Sequence, residues 1–277
     1  MPKKSPLRIG AAMMIDDLPG FRDWLVQDGR DLEIQDACLG DFLDGDWQPG
    51  ARRVLDLLDG YSGRISVHGP YSGLSLVCYD HRVRELVVLR LKQALEFAVA
   101  IRATQLVLHS PFEFFGHPMV VHTPAQGLDY EIEQVHLTLD EVLPVAVGPG
   151  VMLVIENCYD RNTAPLLTLV RSFESKSVRL SLDVGHAFTM QQTGGPPPDQ
   201  WVREAGVLLA HVHLQDTDGL VDRHWAPGEG NVNWFAFFEA LNELDPPPRL
   251  LLEVAPEKFK ASVDFFRQRG YERGNGP

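Results

Sequence analysis

Short runs of Val, Ile and Leu recur along the whole chain, and stretches with helical spacing lie between most of them. The runs predict strands at Arg8–Met13, Leu32–Gln35, Arg64–His68, Gln105–His109, Val151–Glu156, Val178–Asp183, Leu209–Leu214 and Leu250–Val254. Helices read clearly at Arg82–Ile101, where Val83, Leu86, Val87, Leu91, Ala94, Leu95 and Ala98 keep helical spacing, and at Tyr130–Val145 and Trp234–Leu244. Shorter helices fall near Phe21–Gln27, Ala51–Leu58, Pro165–Phe173, Gln200–Leu208 and Glu257–Gln268. Strands that are nearly continuously apolar, each followed by a helix, predict a parallel sheet buried on both faces. The expected fold class is therefore α/β, a single (β/α)8 TIM barrel in which residues 1–277 form one domain. An open doubly wound sheet is the alternative, but no G-x-G-x-x-G opens a helix after the first strand. Gly194–Pro198 and Pro246–Pro248 read as loops within the domain, because the strand–helix rhythm continues on both sides.

The polar residues are placed with a pattern of their own. Strand after strand ends in a side chain able to bind a metal or move a proton: His68, His109, Glu156, Asp183 with His186 close behind, His211, His213 and Asp216, and Glu253. In a barrel these are C-terminal strand ends, which converge on one mouth where active sites are built. Each alone has a structural reading, since a strand-end Asp or His can cap the next helix or bond a loop carbonyl. His211 shares a face with His213 but lies deeper, so it reads as a hydrogen-bonded residue of the barrel interior. His81, His117, His122 and His136 receive no role, and Met13-Met14, Phe235, Phe237 and Phe238 read as packing. Taken together, several carboxylates and imidazoles at one barrel end repel or stay unsatisfied unless a cation organises them. Imidazole plus carboxylate without a thiolate cluster suits Zn, Mn, Co or Fe, and the ligand number leaves room for one to three ions per chain.

Composition narrows the partners. The 277 residues are 44% hydrophobic and 23% charged, which excludes a disordered or collagen-like polymer. Lys and Arg number 25 against 38 Asp and Glu, a formal charge of -13, so a nucleic-acid partner would need a local basic patch that the composition does not advertise. Cys38, Cys78 and Cys158 form neither a disulfide framework nor a C-x-x-C motif, which points to the cytoplasm. The apolar stretch Ile9–Ile15 is cut short by Asp16-Asp17, too brief for a signal peptide or a membrane span, and the mature chain is expected to begin at or near Met1.

The ordered motifs Val67-His68-Gly69-Pro70-Tyr71, Leu108-His109-Ser110-Pro111, Ile155-Glu156-Asn157 and Leu182-Asp183-Val184-Gly185-His186-Ala187-Phe188 carry a resemblance that runs from the first strand to the last. His213-Leu214-Gln215-Asp216, Asp222-Arg223-His224, Pro227-Gly228-Glu229-Gly230-Asn231 and Leu252-Glu253-Val254 complete the set. On these the chain resembles the xylose-isomerase-like TIM barrel superfamily, which joins sugar and sugar-phosphate isomerases and epimerases to the apurinic-site endonucleases. The resemblance implies that Glu156, Asp183, His213 and Glu253 are the metal ligands shared by isomerases and epimerases. It further implies that Glu156 and Glu253 are catalytic, one removing and one returning the α-proton of an open-chain sugar through a metal-stabilised enediolate. His68, His109, His186, Asp222 and His224 match the positions that complete a three-metal site in the endonuclease branch. In the isomerase reading His68, His109 and His186 line the substrate site.

The favoured function is a divalent-metal-dependent sugar or sugar-phosphate isomerase or epimerase. The first alternative is a multinuclear-metal phosphodiesterase, supported by ligand number but opposed by the acidic charge, by Ser110-Pro111 after His109 and by Asn231-Val232-Asn233-Trp234 after the Gly-Glu-Gly turn. The second is a non-catalytic sugar- or metal-binding barrel. Substrate choice falls to the loops Ser72–Tyr79, Phe112–Leu128 and Thr189–Asp199, and in the second of these Phe112, Phe114 and Phe115 read equally as a lid or as rim packing. A homo-oligomer stays open.

Overall fold

The computed structural model describes residues 7–112 and 127–272. The strands are β1 (Ile9–Met13), β2 (Leu32–Ile34), β3 (Ile65–His68), β4 (Gln105–His109), β5 (Met152–Glu156), β6 (Val178–Asp183), β7 (Leu209–Leu214) and β8 (Arg249–Leu252). Each pairs in parallel with the next, and β8 pairs with β1, so the sheet closes into a barrel. Helices α1 (Leu18–Asp28), α2 (Gly40–Asp44), α3 (Gln48–Leu57), α4 (His81–Ala100), α5 (Leu128–Leu139) and α6 (Leu143–Val147) accompany its first half. Helices α7 (Thr163–Ser172), α8 (Val184–Gln191), α9 (Pro198–Ala205), α10 (Trp234–Leu241) and α11 (Phe259–Gln268) accompany the second. This is the (β/α)8 barrel expected from the strand–helix rhythm, and among the described residues no helix is long and apolar enough to cross a membrane.

Three local differences have physical reasons. The helix read as Tyr130–Val145 is two helices, because Pro144 lacks the amide that would continue α5 and instead sits in the first turn of α6. Helix α8 occupies part of the stretch read as the loop Thr189–Asp199, since the Asp183 side chain accepts the His186 amide at 2.6 Å and starts a helix directly at the end of β6. Phe235 is 66% exposed, whereas Phe237 and Phe238 are fully buried. Phe112 packs against the core from the barrel rim, and Phe114 and Phe115 lie outside the described residues.

The largest departure concerns the barrel interior. Alternation along β7 sends Val212 and Leu214 into the apolar layer under the helices and His211 and His213 inward, where both meet Glu33 of β2. Ser66, Gln105, Ser181 and Arg249 are buried with them, so the interior carries polar side chains alongside Val107, Val154 and Leu251. The hydrophobic core lies between barrel and helices, with Phe97, Trp201, Phe237, Phe238, Phe259 and Phe266 fully buried; truncating one such ring costs about 3–5 kcal/mol.

The N-terminal floor of the barrel is closed by guanidinium groups. Arg249 donates to the Ile65 carbonyl at 2.9 Å and to the Thr104 hydroxyl, while Arg64 forks onto Asp31. Arg30 is paired with Asp28 at 2.7 Å and with Glu272, and stacks over Trp24. Burial pulls Arg249 down to about 10, which leaves it charged at neutral pH. With the floor filled by fixed ion pairs, the opposite end of the barrel is left for chemistry.

Candidate metal centre and active site

The mouth gathers the residues singled out from the sequence. Glu156, Asp183, His213 and Glu253 each bring one donor atom to within 4.8 Å of the others, at the ends of β5, β6, β7 and β8. His213 is the hub: its Nδ1 lies 3.1 Å from Glu156 Oε2 and 3.2 Å from Glu253 Oε2. The angles are wrong for hydrogen bonds, and both His213 Nδ1 and Glu156 Oε2 are buried without a partner. Oxygen and imidazole donors converging on one point, two of them orphaned, are what a divalent cation requires.

The electrostatics agree. Burial alone would lower the His213 imidazole, yet Glu253, Glu156 and Glu33 together hold it well above its ordinary value. Burial likewise pushes Glu156 up, but His213, His109 and His68 outweigh it and hold the carboxyl below its ordinary range. Positive charge is thus favoured at the centre of the group. Asp183 is raised to about 7, first by burial and then by the neighbouring Glu156, Glu253 and Asp222, the signature of acids crowded around a shared point.

Local structure fixes these side chains. Asn157 clamps β5 to β6 by accepting the Asp183 amide at 2.8 Å and donating to the Asp183 carbonyl at 3.2 Å. Gln215 lies against Gly185, where a Cβ would come within 2.4 Å of its amide carbon, so only glycine leaves room for it. From there Gln215 donates to Asp183 at 3.3 Å and to Asp222 at 2.5 Å, and accepts the His224 amide at 3.0 Å. Asp216, also noted at the end of β7, is not part of the site. Its carboxylate accepts the Thr217, Gly228 and Val232 amides and the Trp234 indole, and so organises the loop that carries Asp222 and His224.

The outer imidazoles share one arrangement. His68 Nδ1 meets the Gly69 carbonyl at 2.9 Å, His186 Nδ1 the Asn157 carbonyl at 3.0 Å, and His224 Nδ1 the Glu253 carbonyl at 2.9 Å. Each therefore turns Nε2 toward the mouth. Asp222 lies between two of them, 3.3 Å from His186 Nε2 and 2.9 Å from His224 Nε2, and these charges hold its carboxyl below the ordinary range against burial. His109 stacks on Tyr71 at 4.3 Å, and burial lowers it to about 3, which makes it a neutral hydrogen-bonding group. His224 adopts a left-handed backbone, φ 49°, a conformation that costs a non-glycine residue about 1–3 kcal/mol.

A cavity of about 600 Å³ opens over the centre, lined by His68, Tyr71, His109, Glu156, His186 and Glu253 among others. No Lys or Arg is among the described residues lining it. A second cavity of about 320 Å³, edged by Gln35, Cys38, Leu39 and Val254, meets Glu253 from the other side. Two functional residues escaped the sequence reading. Glu33 sits between Leu32 and Ile34 in a short apolar strand, and an acid inside such a run was the available signal. Gln35 follows directly and donates to Glu253 Oε1 at 2.7 Å.

Comparison with known proteins places this geometry. The family described as xylose isomerase-like TIM barrel matches residues 33–269. An uncharacterized protein of Methanocaldococcus jannaschii, MJ1311, is 28% identical over 201 residues, which are 69% of this chain and 64% of that protein. The chain thus spans less than two thirds of that relative's length. A Thermus thermophilus protein solved after soaking with zinc chloride is 25% identical with a TM-score of 0.73, covering 97% of this chain and 100% of that one. A D-tagatose 3-epimerase-like protein is 23% identical with a TM-score of 0.71, covering 95% and 100%, a likeness of fold.

Proposed function

The chain belongs to the xylose isomerase-like TIM barrel family, and on that premise we propose that it is a divalent-metal-dependent isomerase or epimerase of a sugar. The observation that carries the reading is the convergence of Glu156, Asp183, His213 and Glu253, with the two glutamates bracketing His213 Nδ1. These four would hold the ion. When bound, it supplies electrophilic stabilisation of the negative charge that develops on the substrate oxygens during proton abstraction. Glu156 closes β5, Glu253 directly follows β8, and both line the cavity, which suits one as the base that removes a proton from a sugar carbon and the other as the acid that returns it. His68, neutral His109 and His186 would orient the sugar hydroxyls, and Tyr71 would wall the site. The names of structural neighbours fit, among them the D-psicose 3-epimerase of Clostridium cellulolyticum with D-tagatose, which shares the fold at a TM-score of 0.73.

The phosphodiesterase reading keeps one favourable observation, that His186, Asp222 and His224 also face the mouth. Against it, Asp222 is engaged with both imidazoles and with Gln215, and no lysine or arginine stands among the described residues of the cavity to hold a phosphate. The free thiols Cys38, Cys78 and Cys158 suit a reducing compartment, the cytoplasm in this reading.

The test is elemental metal content of untagged protein, followed by incubation with ketoses and sugar phosphates in heavy water. A single exchangeable ion per chain and solvent deuterium at the carbon beside the carbonyl are expected. Two or three tightly held ions with cleavage of abasic DNA or small phosphodiesters would overturn the reading. Metal binding with neither reaction would leave a non-catalytic barrel.

A further inference from the structure

Beneath the ligands lies a sealed polar layer that the proposed chemistry does not use. Glu33, on β2, is completely buried and points into the barrel. Its Oε1 accepts from His213 Nε2 at 2.9 Å, and its Oε2 lies 3.0 Å from His211 Nε2 and accepts the Ser66 hydroxyl at 3.2 Å. His211 is anchored in turn by Ser181, its Nδ1 standing 2.9 Å from the hydroxyl. A carboxylate only accepts, so the hydrogen at this contact belongs to His213 Nε2.

That assignment inverts the arrangement of the outer imidazoles. His68, His186 and His224 give Nδ1 to a backbone carbonyl and present Nε2, whereas His213 gives Nε2 to a carboxylate and presents Nδ1. Nδ1, which carries the lone pair in the neutral ring that binds a cation, is the atom left buried and unpartnered beside Glu156 and Glu253. With the other tautomer a hydrogen would fill the point where the four donors meet. A neutral acceptor could fix the same tautomer, but an anion also makes the imidazole a stronger donor to a cation.

We propose that Glu33 is a positioning residue of the metal centre: it locks His213 as the Nε2–H tautomer and fixes its ring so that Nδ1 is the metal-binding atom, while the Ser66 hydroxyl holds Glu33 in place. This inference rests on the metal-centred reading above.

The experiment measures zinc affinity by competition with a chelating dye for the wild type, Glu33→Ala and Glu33→Gln, with the imidazole nitrogen NMR spectrum of the zinc-loaded wild type. Glu33→Ala is expected to weaken zinc binding by about 10- to 100-fold. Glu33→Gln, which keeps an acceptor oxygen within reach of Nε2, is expected to recover part of that loss. The spectrum is expected to show a protonated Nε2 and a zinc-shifted Nδ1 on His213. Unchanged affinity in Glu33→Ala, equal losses in both variants, or zinc on Nε2 of His213 would overturn the assignment. Should the alanine variant fail to fold, the glutamine variant and the wild-type spectrum still decide it. A wild type that binds no zinc at all would instead overturn the metal-centred reading, and the inference with it.

Discussion

The two ends of the barrel treat buried charge in opposite ways. At the floor, Asp31, Asp28 and Glu272 each face a guanidinium, and the charges are neutralised within the chain. At the mouth, Glu156, Asp183 and Glu253 face imidazoles and amides but no guanidinium among the described residues, and His213 Nδ1 and Glu156 Oε2 remain unpartnered. Permanent cations make an ion pair that holds the fold whatever is bound. Imidazoles, which are neutral or charged as their surroundings dictate, leave a position that an external cation completes. One closed sheet therefore separates a region built for cohesion from one built for occupancy.

The contrast can be broken from either end. Arg30→Met leaves Glu272 only its contact with Arg267 at 3.1 Å and should lower unfolding stability by about 3 kcal/mol in a denaturant titration, while turnover per folded molecule stays unchanged. An equal loss of specific activity would show that the floor is not independent of the mouth. Glu156→Gln or Glu253→Gln should do the reverse, cutting turnover at least ~100-fold with little change in the denaturation midpoint. Near wild-type turnover in both would remove these glutamates from the mechanism. Saturating Mn²⁺ or Zn²⁺ at about 100 times its dissociation constant should stabilise the wild type by about 2.7 kcal/mol. Arg30→Met should gain the same increment in calorimetry, and a smaller one would mean that the floor helps to shape the site.

His224→Ala should reduce isomerase turnover by less than about 10-fold, because the fifth to ninth ligand types are not needed for a single ion. A nearly dead variant would favour the multinuclear alternative. The smallest effect belongs to Asp160, which burial pushes up to about 7 against hydrogen bonds from Ser110 and the Cys158 amide. Its folded value lies above its unfolded one, so its stabilisation is present in acid and is lost as pH rises from about 4 to about 7. Asp160→Asn should flatten thermal stability across that window, and an unchanged slope would mean that the group ionises normally.

What the sequence made legible follows from which positions break a pattern. His68, His109, Glu156 and Asp183 each close an apolar run and Glu253 stands one residue past the end of β8, so strand ends and site residues were visible together. Asp183 shows why the structural and functional readings need not compete: one oxygen caps α8 while the carboxylate remains in the ligand group. Glu33 was passed over because β2 has three residues, too few for an alternation to establish itself. The polar side chains of the interior were hidden for a similar reason. His211, Ser181 and Ser66 are single breaks in apolar strands, and their partners lie across the barrel at sequence separations of 30 to 180 residues or so. Contacts of that kind follow from closure and not from local spacing.

Closure also orders events in time. The four-residue ligand group runs from Glu156 to Glu253, and its last member directly follows β8, the strand that seals the sheet against β1. A chain emerging from the ribosome carries Glu156, Asp183 and His213 well before it carries the strand that brings Glu253 and closes the wall around Glu33. The four-residue group is therefore assembled only after synthesis of β8. A metal held by these four residues would be acquired only after the sheet has closed.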